Sequence, residues 1–294
     1  MHTDSKDTII VTGVGGPAGR AGATWLAARG HRVVGTDMRE VESPASAFRV
    51  VPAARDPGFP DALLAVAREE RAALVLPTVT EELPIVSRMR GRLRALGIAT
   101  CVSEPPGVDV AGDKLLTADR LARQGVPVPA TFPGATPHRA VAEALGFPLL
   151  SKPRFGRGGR GVLVHRSLED MARAGPEEVV WQEFLPGEEY DLNLFAERGG
   201  PIAAAAVLRK TGLKDGLVGN ATGVERAVRP EVAELGAAAA RALGLEGPLD
   251  LDVRARAAGG LAVLEVNARL GANVLAAPEV LEALEAAWRN GRCD

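Results

Sequence analysis

The amino-acid sequence predicts an α/β protein, with a helix-covered parallel sheet first and a more strand-rich unit after it. Strand-like and helix-like segments alternate from Thr8 to Val102, the pattern of a parallel sheet covered on both faces. The pair Pro105-Pro106 then marks a boundary, and beyond it strands recur around Gly-rich turns. At 294 residues the chain has room for two or three compact units with sizeable cores.

In order, Thr8–Thr12 is a β-branched strand, Gly13–Gly19 a glycine turn, Ala21–Arg29 a helix with Gly30 as its C-cap, and Arg32–Thr36 the next strand. A helix at Asp61–Arg71 leads into the strand Ala73–Leu76, and a helix around Glu82–Leu96 into Ile98–Val102. The second unit begins with a helix from Val110 to Gln124, the Pro-rich connection Val126–Pro137 and a helix near His138–Leu145. Strands follow at Leu149–Lys152 and Val162–His165 around the loop Arg154–Gly161, then a helix at Leu168–Ala174 and a strand at Val179–Phe184. The remainder reads as strands near Leu192–Ala196, Ile202–Leu208, Leu249–Arg254 and Leu261–Val266, with helices at Pro230–Leu243 and Pro278–Arg289.

A net charge of −2 gives no electrostatic reason for a nucleic-acid or anionic-membrane partner. No apolar run approaches the roughly 20 residues of a membrane helix, and the start MHTDSKDTII lacks the pattern of a secretory leader. Cys101 and Cys293 form no CxxC pair and are expected as free thiols in a reducing cytoplasm. His2, His31, His138 and His165 are scattered, without zinc-ligand spacing. Among 35 basic residues only Lys6, Lys114, Lys152, Lys210 and Lys214 are lysines, and several fall at interior motifs.

Gly13-x-x-Gly16-x-x-Gly19, with Asp37 after the second strand, invites a dinucleotide reading. A short-chain dehydrogenase would also need Tyr-x-x-x-Lys. The only tyrosine is Tyr190, and Leu194 stands four residues on. A tight turn without a bound dinucleotide is therefore expected.

The second unit carries the chemistry. Four glycines between two strands (Gly156, Gly158, Gly159 and Gly161) make a loop whose backbone N–H groups can close over phosphates. The segment Trp181–Tyr190 runs a strand into an acidic turn. Asp250 and Asp252 lie two apart on one strand, as do Glu265 and Asn267 on the next, across the turn Gly259-Gly260. Residues two apart share one face, so a hairpin sets the two pairs side by side. Carboxylates and an amide oxygen, without sulfur or imidazole, suit magnesium holding a polyphosphate.

This ordered set resembles the ATP-grasp superfamily, and within it the carbamoyl-phosphate synthase-like branch of carboxylate–amine ligases. The likeness covers nearly the whole chain, and Glu265-Val266-Asn267-Ala268-Arg269 matches the superfamily's E-[IVM]-N-x-R motif. It implies a Rossmann-like domain at 1–108 and an ATP-grasp fold at 109–294, made of a lid subdomain at about 117–188 and a C-terminal α+β subdomain. It also implies ATP and Mg2+ as cofactors, with Mn2+ as a substitute. Lys114, Lys152 and the glycines of the 156–161 loop would meet the phosphates. Glu183, Phe184, Leu185 and Leu264 would lie at the adenine and Glu189 at the ribose. Asp252, Glu265 and Asn267 would be the metal ligands, and Arg269 and Lys210 the catalytic cations. One departure is Asp252, where carbamoyl-phosphate synthase has Gln. The 294 residues hold one ATP-grasp half, without a biotin or glutaminase domain.

The implied reaction is attack of a small-molecule carboxylate on the γ-phosphate of ATP, then capture of the acyl phosphate by an amine, in a cytoplasmic enzyme compatible with a homodimer. Thr78, Glu81, Glu82, Arg209, Lys210 and Lys214 are further substrate-contact candidates. Phosphorylation of bicarbonate or carbamate on the same scaffold stays open. So does a nicotinamide oxidoreductase or nucleotide-sensing module built on Gly13–Gly19.

Overall fold

The computed structural model describes residues 6–174 and 178–293; His2 lies outside them. The chain begins with β1 (Thr8–Thr12), α1 (Pro17–Ala28), β2 (Arg32–Asp37), β3 (Ala47–Val50), α2 (Phe59–Glu69), β4 (Leu74–Leu76), α3 (Leu83–Arg94) and β5 (Ala99–Thr100). These strands form one parallel sheet in the order β3-β2-β1-β4-β5. Order reverses at β1, so the crevice beyond the carboxyl ends of β1 and β4 is where such sheets take ligands.

The single helix expected from Val110 to Gln124 is two helices, α4 (Pro105–Ala111) and α5 (Lys114–Arg123). Asp113 breaks them apart: its side chain caps α5 by accepting from the Leu115 and Leu116 amides. Pro105 and Pro106 open α4, where a missing N–H costs nothing.

A four-stranded sheet follows, built from β6 (Thr131–Pro133), β7 (Leu149–Pro153), β8 (Leu163–His165) and β9 (Val179–Glu183). Helices α6 (His138–Leu145) and α7 (Leu168–Met171) cover it. Its small core gathers Val141, Leu149, Met171 and Trp181.

The last sheet has the order β12-β11-β10-β13-β14: β10 (Glu189–Ala196), β11 (Ile202–Leu213), β12 (Ala221–Ala227), β13 (Gly247–Ala255) and β14 (Leu261–Asn267). Helix α8 (Pro230–Leu243) packs on its outer face so closely that a Cβ on Gly236 would lie 2.0 Å from Leu192 Cδ2. The inner face is divided. Phe195 packs into the apolar cluster of α9 (Pro278–Arg289), whereas Glu189, Asp191 and Asn193 line up toward the other end of the same strand.

Strands β3 and β12 were not anticipated. The first is partly exposed, and the second, ATGVERA, has no apolar alternation; both are edge strands. The free-thiol expectation is corrected. Cys101 and Cys293 are joined as a disulfide with a Cα–Cα distance of 4.8 Å, across 192 residues of sequence. The bond, with Glu285 contacting Arg29 and His31, ties the C-terminal segment to the first sheet's unit.

Candidate active site

The polar half of the inner face is a lattice set by register. β10 and β13 pair Glu189 with Arg254, Asp191 with Asp252 and Asn193 with Asp250. β13 and β14 pair Asp252 with Glu265 and Asp250 with Asn267, the side-by-side arrangement expected from the period of two. The register slips between Asp252 and Val253, so Leu264 is the extra residue of a bulge. That turns Leu264 toward the same cavity as Glu265.

The cavity, about 280 Å³, lies between this face, β7 with its glycine loop, and the N-terminus of α1. Of the expected site residues, it brings together Lys114, Lys152, Gly156, Gly158, Gly159, Glu183, Leu185, Glu189, Lys210, Asp252, Leu264, Glu265, Asn267 and Arg269. Two do not line it. Gly161 packs against Pro153, where a Cβ would sit 2.8 Å from Cγ, and the Phe184 ring lies under the Arg254 guanidinium at 5.5 Å. Asp191, Arg254, Asn220 and Asn273 line it without having been singled out. Alternation from Glu189 offered a signal for Asp191, but choosing that face required knowing β10's neighbours.

Charge is tightly organised. Lys210 Nζ donates to Glu189 Oε1 and to Asp252 Oδ1, each at 2.6 Å. Burial works to lower the Lys210 pKa, but Asp252 and Glu189 override it and the pKa rises. Arg254 Nη1 lies 3.2 Å from Glu189 Oε2. Arg269 donates to Asn267 Oδ1 at 3.0 Å, to Asp250 Oδ2 at 3.3 Å and, from Nε, to Thr80 Oγ1 at 3.1 Å. Burial, then the neighbouring Asp191, pushes Asp250 well above the usual carboxylate range. Burial also raises Asp191 and, reinforced by Asp252, Glu189.

Lys152 stands apart. It is only 8% exposed, and its side chain makes no hydrogen bond or ion pair among the described residues. Burial pulls its pKa down against the distant pull of Glu265 and Glu189. A buried ammonium without a counter-charge is costly, so this position is built for an arriving anion. Lys114, beside it, donates to Gly156 O at 2.9 Å and lies 4.0 Å from Glu265.

The glycine loop is folded over the cavity. Gly156, Gly158, Gly159 and Gly161 all have positive φ, and a Cβ on Gly159 would lie 2.6 Å from Gly219 Cα in the β11–β12 turn. Arg157 pairs with Glu81 after β4 at 2.9 Å, so the loop touches two other parts of the molecule.

The donor set suits magnesium. Asp252, Glu265 and Asn267 offer hard oxygens from adjacent strands, yet no three Asp, Glu, His or Cys side chains close into a cage among the described residues. Magnesium is ordinarily held that way, by one or two carboxylates together with phosphates and water.

The other glycine turn is accounted for by packing. A Cβ on Gly19 would lie 2.4 Å from Gly13 O, and Asp37 accepts from the Gly15 and Met38 amides. Glu183, expected at the adenine, uses its carboxylate on Arg256 and the Ala130 amide and its N–H on Ala130 O.

A model of the ATP-grasp domain matches residues 111–273. The chain belongs to the ATP-grasp family. Phosphoribosylamine–glycine ligase of Synechocystis is 32% identical over 123 residues, which are 39% of this chain and 29% of that enzyme. The match to this curated relative therefore spans less than a third of its length. Among solved structures, the L-amino acid ligase of Bacillus licheniformis superposes with a TM-score of 0.71 at 17% identity, over 92% of this chain and 68% of that one. The biotin carboxylase domain dimer of Hydrogenobacter thermophilus 2-oxoglutarate carboxylase, solved with MgADP, ADP and bicarbonate, gives 0.71 at 17% identity, over 91% and 65%. At such identities the ATP-grasp fold is what is shared. No helix among the described residues is long and apolar enough to cross a membrane.

Proposed function

We propose that this ATP-grasp protein is an ATP- and magnesium-dependent ligase that activates a small-molecule carboxylate as an acyl phosphate and joins it to an amine. The observation that carries the reading is the unpaired, buried Lys152 beside Lys114, in the cavity that Asp252, Glu265 and Asn267 also line. Lysines gathered in one cavity with hard oxygen ligands are what a metal–polyphosphate requires.

In this reading the adenine lies against Leu185, Leu264 and the Glu183 carbonyl, and Glu189 faces the ribose. Lys114, Lys152 and the amides of Gly156, Gly158 and Gly159 hold the phosphates. Gly161 and Phe184 support the loop and Arg254 from outside the cavity. Glu265, Asn267 and Asp252 would hold magnesium, which would supply neutralisation of phosphate charge there, with Mn2+ as a substitute. Arg269 stabilises the transferring phosphoryl group, and Lys210 holds Asp252 and Glu189 in place while adding positive charge. Catalysis is then positioning and preorganised electrostatics, and the closed glycine loop keeps water from the acyl phosphate. The proposal keeps the division at 1–108 and 109–294, with a lid at about 117–188. It also includes a homodimer and a cytoplasmic setting, in which the Cys101–Cys293 bond would face reduction.

The test is a screen of carboxylic acids paired with amines for ADP release, followed by mass spectrometry of the product. With an 18O-labelled carboxylate, one labelled oxygen should appear in the released phosphate. Product without label in phosphate would exclude the acyl phosphate. ADP release dependent on bicarbonate alone would favour the carboxylating alternative.

A further inference from the structure

Resting on the ligase reading, we propose that Asp191, held by Asn193 and Asn273, is the subsite for the amine substrate and that this amine binds as a cation. The carboxylates lining the cavity are otherwise matched to cations: Glu183 to Arg256, Glu189 and Asp252 to Lys210, Asp250 to Arg269, and Glu265 to Lys114, all at 4.0 Å or less. Asp191 has none within that distance among the described residues, although it is only 3% exposed. Its oxygens accept from amides, Oδ1 from Asn193 Nδ2 and Oδ2 from Asn273 Nδ2, each at 2.6 Å, and Asp250, another acid, is a further hydrogen-bond partner. None of these partners is a cation, and two buried acids side by side, sharing a proton, are relieved when a counter-ion arrives.

Acceptors are also in surplus in the layer behind Asp191, where Asn193 lies outside the cavity lining. Asn193 is fully buried and its Oδ1 has no hydrogen-bond partner. Asn193 Oδ1 and Asp250 Oδ1 both flank the side of Gly271 where a Cβ would lie, at 2.5 and 2.7 Å. An ammonium brings donors and charge together, which suits the Asp191 carboxyl that does line the cavity. Lys152, in the same cavity, has the reverse imbalance, a buried side-chain amine with no acid within ion-pair distance among the described residues.

Position supports the assignment. Asp191 stands opposite Asp252 in register, and Asp252 opposite Glu265, so Asp191 lies in the row of the metal ligands. It is two residues, or about 7 Å of strand, beyond Glu189 at the ribose. A group on Asp191 therefore sits at the phosphate end, where the activated carboxylate is formed; the ammonium first gives one proton to Asp191, and the freed nitrogen lone pair then forms the C–N bond as the acyl C–O bond breaks and phosphate leaves.

The experiment is a thermal-shift titration of the full chain with Mg–AMPPNP, then with methylammonium, ethanolammonium, putrescine or glycinamide, and with ethylene glycol as a neutral control. At ten times its Kd, a cationic probe should raise the melting temperature of the nucleotide complex by about 3 °C, and ethylene glycol should not. Asp191→Asn should keep the nucleotide shift and lose the amine shift. Asn273→Ala, which only loosens Asp191, should need on the order of tenfold more amine. The assignment is overturned if no amine shifts the nucleotide complex, or if the amine shift survives in both variants. It is equally overturned if Asp191→Asn instead removes the magnesium dependence of the nucleotide shift, since Asp191 would then hold metal. Absence of any nucleotide shift in the parent would remove the ligase reading itself, and this subsite with it.

Discussion

Lys210 Nζ lies 2.6 Å from Asp252 Oδ1, and the same ammonium holds Glu189 Oε1 at 2.6 Å. One cation on β11 thus neutralises acids on β10 and β13, side by side in the centre of the sheet. Removing one member of a buried ion network leaves the others unpaired and costs about 3–5 kcal/mol. Lys210→Met should therefore lower unfolding free energy by about 3 kcal/mol in a denaturant titration and cut ADP formation at least about tenfold. A stability change within about 0.5 kcal/mol would mean that water already compensates these acids.

The glycine loop carries a steric prediction. Gly159 has φ +68°, and a Cβ there would lie 2.6 Å from Gly219 Cα. Gly159→Val should keep the loop from seating on the β11–β12 turn while leaving the three sheets intact. Turnover should fall at least about tenfold, and the ratio of phosphate released to product formed should rise as water reaches the intermediate. Turnover and ratio both equal to the parent's would show that loop closure has no part in the reaction.

How much of this could be read beforehand follows from the range of each interaction. The Asp250/Asp252 and Glu265/Asn267 pairs were legible because a strand's period of two and one hairpin place them. Asp191, Arg254 and Asn273 were not, because their roles depend on β10 lying between β11 and β13, an order that no local pattern encodes. Strand β12 pairs through its backbone with an amphipathic neighbour, and its polar sequence hides it. The Cys101–Cys293 pairing is hidden by the 192 residues between its partners.

Glu82 supplies a pH dependence of stability. It is 7% exposed and accepts from the Thr12 hydroxyl. Burial first, then Asp37 and Glu81, raise its pKa from 4.5 to about 7. The folded state then holds a proton that the unfolded chain has lost. Stability from this group is present below pH 4.5 and is lost as pH rises through 7, by about 3 kcal/mol in all. Glu82→Gln keeps an acceptor for Thr12 and cannot ionise. Unfolding free energies of parent and variant between pH 4.5 and 8 should diverge, the variant losing less. Parallel curves would place the Glu82 pKa near its ordinary value.

The disulfide gives a redox prediction. Closing a loop of this length in the unfolded chain is worth about 5 kcal/mol in the chain-entropy model. Reduction, or Cys101→Ser, should lower the melting temperature of the oxidised protein by several degrees. The Mg–ATP shift should persist, since the bond lies away from the cavity, near Phe195 and Arg292. An oxidised protein whose melting is unchanged by reductant would contradict a stabilising tether.

The central claim is that Lys152 faces a nucleotide whose metal is held by Glu265 and Asn267. The most direct measurement is the melting temperature of the parent, Glu265→Gln and Asn267→Ala with saturating ATP, with and without magnesium, and with NADPH as control. A ligand that binds only the native state at 100 times its Kd stabilises by about 2.7 kcal/mol. The parent should therefore show a clear shift with ATP and magnesium together and none with NADPH. Both variants should melt near the parent without ligand and lose most of the magnesium-dependent shift. An undiminished shift in both variants would contradict the metal assignment, and a shift with NADPH but none with Mg–ATP would contradict the nucleotide site itself.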